Sequence, residues 1–190
     1  MVKASDRTRK HLPKNEADRR TPVSQRALHA VRLLLFTGAR LSEILTLEWS
    51  DVDLANGTIA LPSRKGDGRK AHPVSQNVLQ ILSHLAETKC SRYVLPRDQD
   101  RDRHVSKEVV ENAWQRIRNH ADLDDVRLHD LRHTFGTFGG QAGGNAFLIS
   151  HLLRHRNVTI THRYVNSDMD PIRGLSDIIG QRIADGLNDR

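Results

Sequence analysis

The apolar positions of this chain fall into seven stretches read as helices and two short stretches read as strands. Ala27, Ala30, Val31, Leu34 and Leu35 recur at helical spacing and mark the first helix. Thr21-Pro22, an N-cap residue followed by proline at the first helical position, predicts its start, and Thr37-Gly38 predicts its end. A short helix follows over about 41–47, with Ser42 near its start. Thr58–Leu61 and Ala71–Val74 are the two strand signals, and the basic, glycine-bearing segment 62–70 joins them as a hairpin loop. Asn56-Gly57 marks a turn just before the first strand. Further helices are expected over 75–88, 106–121 (around Val109, Val110, Trp114 and Ile117), 128–141, 146–153 and 171–187. The charged stretch 96–103 has no apolar anchor and reads as a surface loop. The pattern predicts an α+β fold, mainly α with one small antiparallel β-sheet.

Composition narrows the class. At 190 residues, 37% hydrophobic and 28% charged, the chain is long enough for one soluble domain with a real core. Its N-terminus is polar and basic, without the apolar stretch of a signal peptide. No apolar run approaches the roughly 18 residues of a membrane span. A cytoplasmic protein with no membrane partner is therefore expected. Cys90 is the only cysteine, which excludes an internal disulfide and a zinc site built from several cysteines. The net charge of +7 favours an acidic partner, most commonly nucleic acid. Residues 1–20 carry seven Lys or Arg against three Asp or Glu and read as a flexible basic arm. Such an arm is either a solvated tail or a grip on phosphates.

Three clusters could carry chemistry. Thr37-Gly-Ala-Arg40-Leu-Ser-Glu43 presents an arginine at a helix junction, with an acid three residues later on the same face. Lys65 lies in the hairpin loop beside Arg64, Arg69 and Lys70. Leu128-His129-Asp-Leu-Arg132-His133 places a histidine and an arginine on one helix face, and Arg154, His155 and Tyr164 follow. Arginines offer forked donors that match phosphate geometry and remain charged at physiological pH. Two of them can stabilise a phosphoryl transition state without a metal. Lysine can protonate a leaving oxygen, histidine can accept a proton, and tyrosine can form a covalent intermediate. A rival reading is zinc, because His129/His133 and His151/His155 are both i, i+4 pairs. No His-Glu-x-x-His pattern or well-placed third ligand accompanies them, and no metal or other cofactor is expected.

The string from Thr37 to Asp53 (TGARLSEILTLEWSDVD) resembles the first arginine box of the tyrosine recombinase, or phage integrase, family. His129-Asp-Leu-Arg132-His-Thr-Phe resembles that family's His-x-x-Arg box. His155 and Tyr164 stand nine residues apart, as the late His/Trp and the nucleophilic tyrosine of the family do. Lys65-Gly-x-x-Arg69, followed by Pro73-Val74, is similar to the β-hairpin lysine motif. The resemblance covers about 25–170, with the boxes in order.

The resemblance implies the tyrosine recombinase catalytic-domain fold over 21–170, and a C-terminal helix over 171–190 that can be exchanged in trans. It implies a site-specific recombinase or integrase acting on double-stranded DNA through a 3′-phosphotyrosine, as a homo-oligomer assembled on DNA, with accessory DNA-bending proteins as further partners. Tyr164 is then the nucleophile, Arg40 and Arg132 hold the non-bridging oxygens, and Lys65 is the general acid, with Lys70 its rival. His129 assists proton transfer as base, His155 donates a hydrogen bond to the phosphate, and Glu43 supports the arginine site. Arg64, Arg69, Lys70 and Arg154 are expected on DNA. Arg154 departs from the family pattern, which usually has glycine there. Family members also carry an N-terminal core-binding domain, and nothing in this sequence is long enough to be one. Two other readings follow: a truncated, non-catalytic DNA-binding remnant or accessory protein, and a type IB topoisomerase.

Overall fold

In a computed structural model of the chain, residues 23–63 and 68–154 are described. The basic arm, Thr21-Pro22, the hairpin tip with Arg64 and Lys65, and everything from His155 onward, Tyr164 and the C-terminal helix included, lie outside the described residues.

Helix α1 (Gln25–Thr37) is the hub of the domain. It begins after Ser24, whose carbonyl accepts the Leu28 N–H at 3.0 Å, a few residues later than Thr21-Pro22 predicts. Its apolar stripe is buried at Ala27, Ala30, Val31, Leu33 and Leu34 and packs against α2 (Leu41–Leu45), α3 (Gln76–Glu87), α4 (Lys107–His120) and α5 (Asp130–Gln141). Val78 and Leu82 of α3 and Val110, Ala113 and Trp114 of α4 complete this core with Ile44, Leu47, Val94 and Leu95. Each fully buried aliphatic side chain of this set contributes about 1.5–3 kcal/mol relative to exposure. The one polar atom that Trp114 brings inside is satisfied, since its indole N–H donates to the Val126 carbonyl at 3.0 Å.

The sheet has three antiparallel strands in the order β1 (Val52–Asp53), β2 (Thr58–Pro62), β3 (Arg69–Pro73). The two-residue β1 was not legible as a strand. It exists because Asp53 accepts from the Asn56 backbone at 2.9 Å and from its side-chain amide at 2.7 Å, and Gly57 turns at φ 64°, folding Val52 back onto Ile59. Strand β3 starts at Arg69 rather than Ala71, because Arg69 pairs with Pro62 across the hairpin. Ile59 and Leu61 of β2 and His72 of β3 are the inward, buried residues. The 96–103 loop is surface, as expected, pinned at its ends by a bridge between Pro96 and His104.

Helix α6 (Ala146–Leu153) is capped by Asn145, whose side chain accepts the Leu148 N–H at 2.8 Å. It packs on α5 through Ile149, and this accounts for a glycine in α5: a Cβ on Gly139 would stand 3.3 Å from Ile149. Gly38, between α1 and α2, is under a tighter limit. Its φ is 61°, and a Cβ there would meet Phe135 at 2.7 Å and Leu153 at 2.8 Å. Gly38→Ala is expected to lower unfolding stability by about 2 kcal/mol, from the left-handed backbone and overpacking together. Urea denaturation checks this, and an unchanged midpoint would contradict the close packing of α5 and α6 on this turn.

Candidate active site

The site is built around the exit from α1. The Gly38 N–H donates to the Leu34 carbonyl at 3.0 Å and closes the helix in a left-handed cap. The Thr37 hydroxyl donates to the Leu33 carbonyl at 2.6 Å and accepts the Ala39 N–H at 3.1 Å. This sharp turn delivers Arg40 in extended conformation (φ −80°, ψ 152°) to the N-cap of α2. Glu43, at the third position of that helix, reaches back. One carboxylate oxygen accepts the Arg40 backbone N–H at 2.7 Å and the other accepts its guanidinium at 2.8 Å. The acid spaced three residues from Arg40 is therefore a buckle on it, with its side chain only 8% exposed.

Glu43 has a second cation. Arg154, the residue that ends α6, donates from Nη2 to the same Glu43 oxygen that receives the Arg40 backbone N–H. Burial alone would raise the Glu43 pKa. The Arg40 backbone N–H, the Arg154 charge and the hydrogen bonds of both side chains outweigh it and hold the carboxyl below its usual range. Arg154, one of the residues expected on DNA, has a side chain that is 17% exposed and paired with Glu43. It adopts φ 51°, ψ 44°, a left-handed conformation that suits glycine.

Arg132 is buried in α5 and ties two other segments together. Its Nη1 donates to the Gly38 carbonyl and its Nη2 to the Leu153 carbonyl. One guanidinium thus joins the turn ahead of Arg40 to the end of α6, two residues before His155. His72 approaches from β3, where its ring is hydrogen-bonded to the Thr37 backbone. It is a residue that sequence reasoning did not single out, and its only signal was an inward position on an alternating strand. Burial first, and then the charge of Arg154, lower its pKa to about 4, so it is neutral at physiological pH.

His129 stands at the N-terminus of α5, its ring edge-on to His133 with centroids 5.4 Å apart. Burial, followed by the charges of His133 and Arg132, lowers its pKa, which favours a neutral imidazole able to accept a proton. His129 and Arg132 line a cleft of about 250 Å³ with Ala39, Leu41 and Lys107. Arg40 and Glu43 line a neighbouring one of about 380 Å³ with Thr46, Pro62 and Ser63. Ser63, which lines the second cleft, is the last described residue before Arg64 and Lys65. Arg69 is held by Asp51 at 2.6 Å, while Lys70 is exposed. Among the described residues no group of three or more His, Cys, Asp or Glu is placed to hold a metal ion.

The sequence profile of the phage integrase family matches residues 10–170. The chain belongs to the phage integrase family. A probable integrase/recombinase of Acholeplasma phage L2 is 29% identical over 135 residues, covering 71% of this chain and 47% of that protein. Tyrosine recombinase XerA of Thermococcus kodakarensis is 29% identical over 156 residues, covering 80% and 55%. The chain thus spans about half the length of these two phage integrase relatives. Among solved structures, the Tn1549 transposon integrase in complex with transposon right end DNA aligns with a TM-score of 0.67 at 18% identity, over 82% of this chain and 59% of that one. The XerA recombinase crystal structure aligns at 0.62 and 22% identity, over 88% and 65%. The fold is that of the tyrosine recombinase catalytic domain.

The buried His72 makes stability depend on pH. Its folded pKa of about 4 lies below the ordinary 6.5, so between these values the unfolded chain binds a proton that the folded chain refuses. Its contribution is fully present above pH 6.5 and is lost as the pH falls toward 4, by up to about 3 kcal/mol. Urea unfolding at pH 7 and pH 4.5 should show a clearly smaller acid loss for His72→Gln than for the native chain. Equal losses would mean that His72 does not stay neutral inside.

Proposed function

We propose that this chain is the catalytic domain of a site-specific DNA recombinase or integrase that cuts and rejoins DNA through Tyr164. The observation that carries this reading is the convergence of Arg40, Arg132 and the end of α6 on one turn, the Thr37–Arg40 exit of α1. Three sequence-distant segments, the 37–43 turn, α5 and the end of α6, are bound together there by charge-assisted hydrogen bonds, and His155 is the next residue of the chain. A phosphodiester is the substrate that such forked donors suit.

In this reading the Tyr164 hydroxyl oxygen attacks the scissile phosphorus and its proton passes to His129. The bond from phosphorus to the 5′-oxygen breaks, and Lys65 protonates that leaving oxygen to give a 5′-hydroxyl. Arg40 and Arg132 stabilise charge on the non-bridging oxygens, and His155 donates a further hydrogen bond. The 3′-phosphotyrosine conserves the bond energy, so a 5′-hydroxyl from another strand reverses the steps and rejoins the DNA without a metal or nucleotide. Glu43 orients Arg40. Lys70, Arg64 and Arg69 sit on or beside the hairpin and grip phosphates, as does the basic arm of 1–20. The domain works as a homo-oligomer on double-stranded DNA in the cytoplasm, with the helix of 171–190 passed between copies and accessory DNA-bending proteins shaping the site. The DNA-bound structures of the Tn1549 integrase and of the XerH recombinase on its difH substrate support DNA as the partner.

A nicked duplex that traps the covalent intermediate tests this, with candidate flanking sequences pooled because the target site is unknown. The native chain should form an adduct located on Tyr164 by mass spectrometry, and Tyr164→Phe should form none while still binding DNA. Arg132→Lys should slow adduct formation by about 10²–10³-fold, as loss of a forked oxyanion donor does. An adduct persisting in Tyr164→Phe would remove Tyr164 as nucleophile. Bound DNA with no adduct at all would favour a non-catalytic DNA-binding protein of the same family.

A further inference from the structure

Arg154 departs from what its backbone asks for. Its φ of 51° lies in the left-handed region, where glycine is comfortable and a branched or long side chain is strained. It ends α6 directly after Leu153, whose carbonyl is bound by Arg132. From this strained cap the side chain crosses to Glu43, 111 positions earlier in sequence, and shares that carboxylate with Arg40. Both Glu43 oxygens are thereby committed. One takes the Arg40 guanidinium, and the other takes the Arg40 backbone N–H and Arg154.

The charge balance at this point matters for an anionic substrate. A lone Arg40–Glu43 pair is neutral, and its carboxylate would repel a phosphate that Arg40 is meant to hold. Arg154 adds a second positive charge to the same carboxylate, so the trio carries +1, and the buried Arg132 brings a further positive charge beside it. Among the described residues His72 also faces this cluster, and it stays uncharged.

We propose that Arg154 is a positioning residue of the active site: it occupies Glu43, holding the Arg40 buckle in place while restoring the positive charge that Glu43 would otherwise cancel. This rests on the phosphoryl-transfer reading above. Arg154 does not need to touch the substrate to act, because its effect passes through Glu43 to Arg40. A merely structural cap makes a different prediction, since Arg154→Gly supplies the residue that the left-handed backbone prefers and should leave both fold and rate intact.

The test compares the native chain with Arg154→Gly and Arg154→Lys. On the nicked trapping duplex, Arg154→Gly should lower the adduct-forming rate at saturating DNA by about 10–100-fold, the scale of losing one preorganised charge near the reacting phosphate. The DNA concentration at half-saturation should change by less than about threefold, and Arg154→Lys should recover part of the rate. The second readout needs no activity: the Arg40 Nε–Hε NMR signal of the DNA-free chain, assigned by its loss in Arg40→Lys. It should be sharp in the native chain and broadened or shifted in Arg154→Gly. An unchanged rate with an unchanged Arg40 signal overturns the proposal. A native chain that binds DNA but forms no adduct fails the functional reading instead, and the Arg40 signal then decides the positioning role alone. If Arg154→Gly does not fold, Arg154→Lys supplies the same two readouts, and native values in both overturn the proposal.

Discussion

A guanidinium buried in a protein must find partners for its donors or the desolvation of its charge is left uncompensated. Arg132, 5% exposed, meets that requirement with two carbonyls from different parts of the chain, Gly38 at the end of α1 and Leu153 at the end of α6. Both carbonyls belong to helix termini, where acceptors lack an intrahelical partner. A planar fork with five N–H groups can serve two such acceptors and still belong to an anion-binding site. The geometry of the site therefore depends on a single side chain in α5, and the packing of Phe135 and Leu153 over Gly38 closes the same junction with apolar contacts.

Glu43 is the counterpart of Arg132 on the other side of the turn. It is a buried carboxylate held ionised by two arginines, and its three hydrogen bonds fix where Arg40 stands. The two buried charges thus do different jobs. Arg132 joins backbone segments that carry site residues, and Glu43 orients one arginine with the help of another. His72 adds a neutral contact to the same turn from the sheet, so α1, α2, β3, α5 and α6 all meet at Thr37–Arg40.

Much of the helical framework was legible from sequence because its signals are local. Ala27 to Leu34 recur at helical spacing, and Thr37-Gly38 ends α1. The arginine and His-x-x-Arg boxes could be read as short strings for the same reason. What could not be read was the pairing between them. Strand β1 has two residues and depends on the Asp53–Asn56 turn rather than on alternation. The inward His72 resembles any strand histidine until its neighbours are known. The reach of Arg154 to Glu43 spans 111 residues, and nothing local in the sequence marks a basic residue at a helix end as the partner of so distant a carboxylate. Gly139 likewise acquires its reason only when Ile149 of the next helix is placed against it.

Hydrogen exchange, read by mass spectrometry on the native chain and on Arg132→Lys, tests the account most directly. Lysine keeps the charge but cannot present a fork to two carbonyls. The account predicts that Arg132→Lys, while still folded, loses protection in two places at once: the 37–43 turn and the C-terminal turn of α6. Protection lost only within α5, or lost nowhere, would contradict the claim that one buried guanidinium holds the halves of the site together.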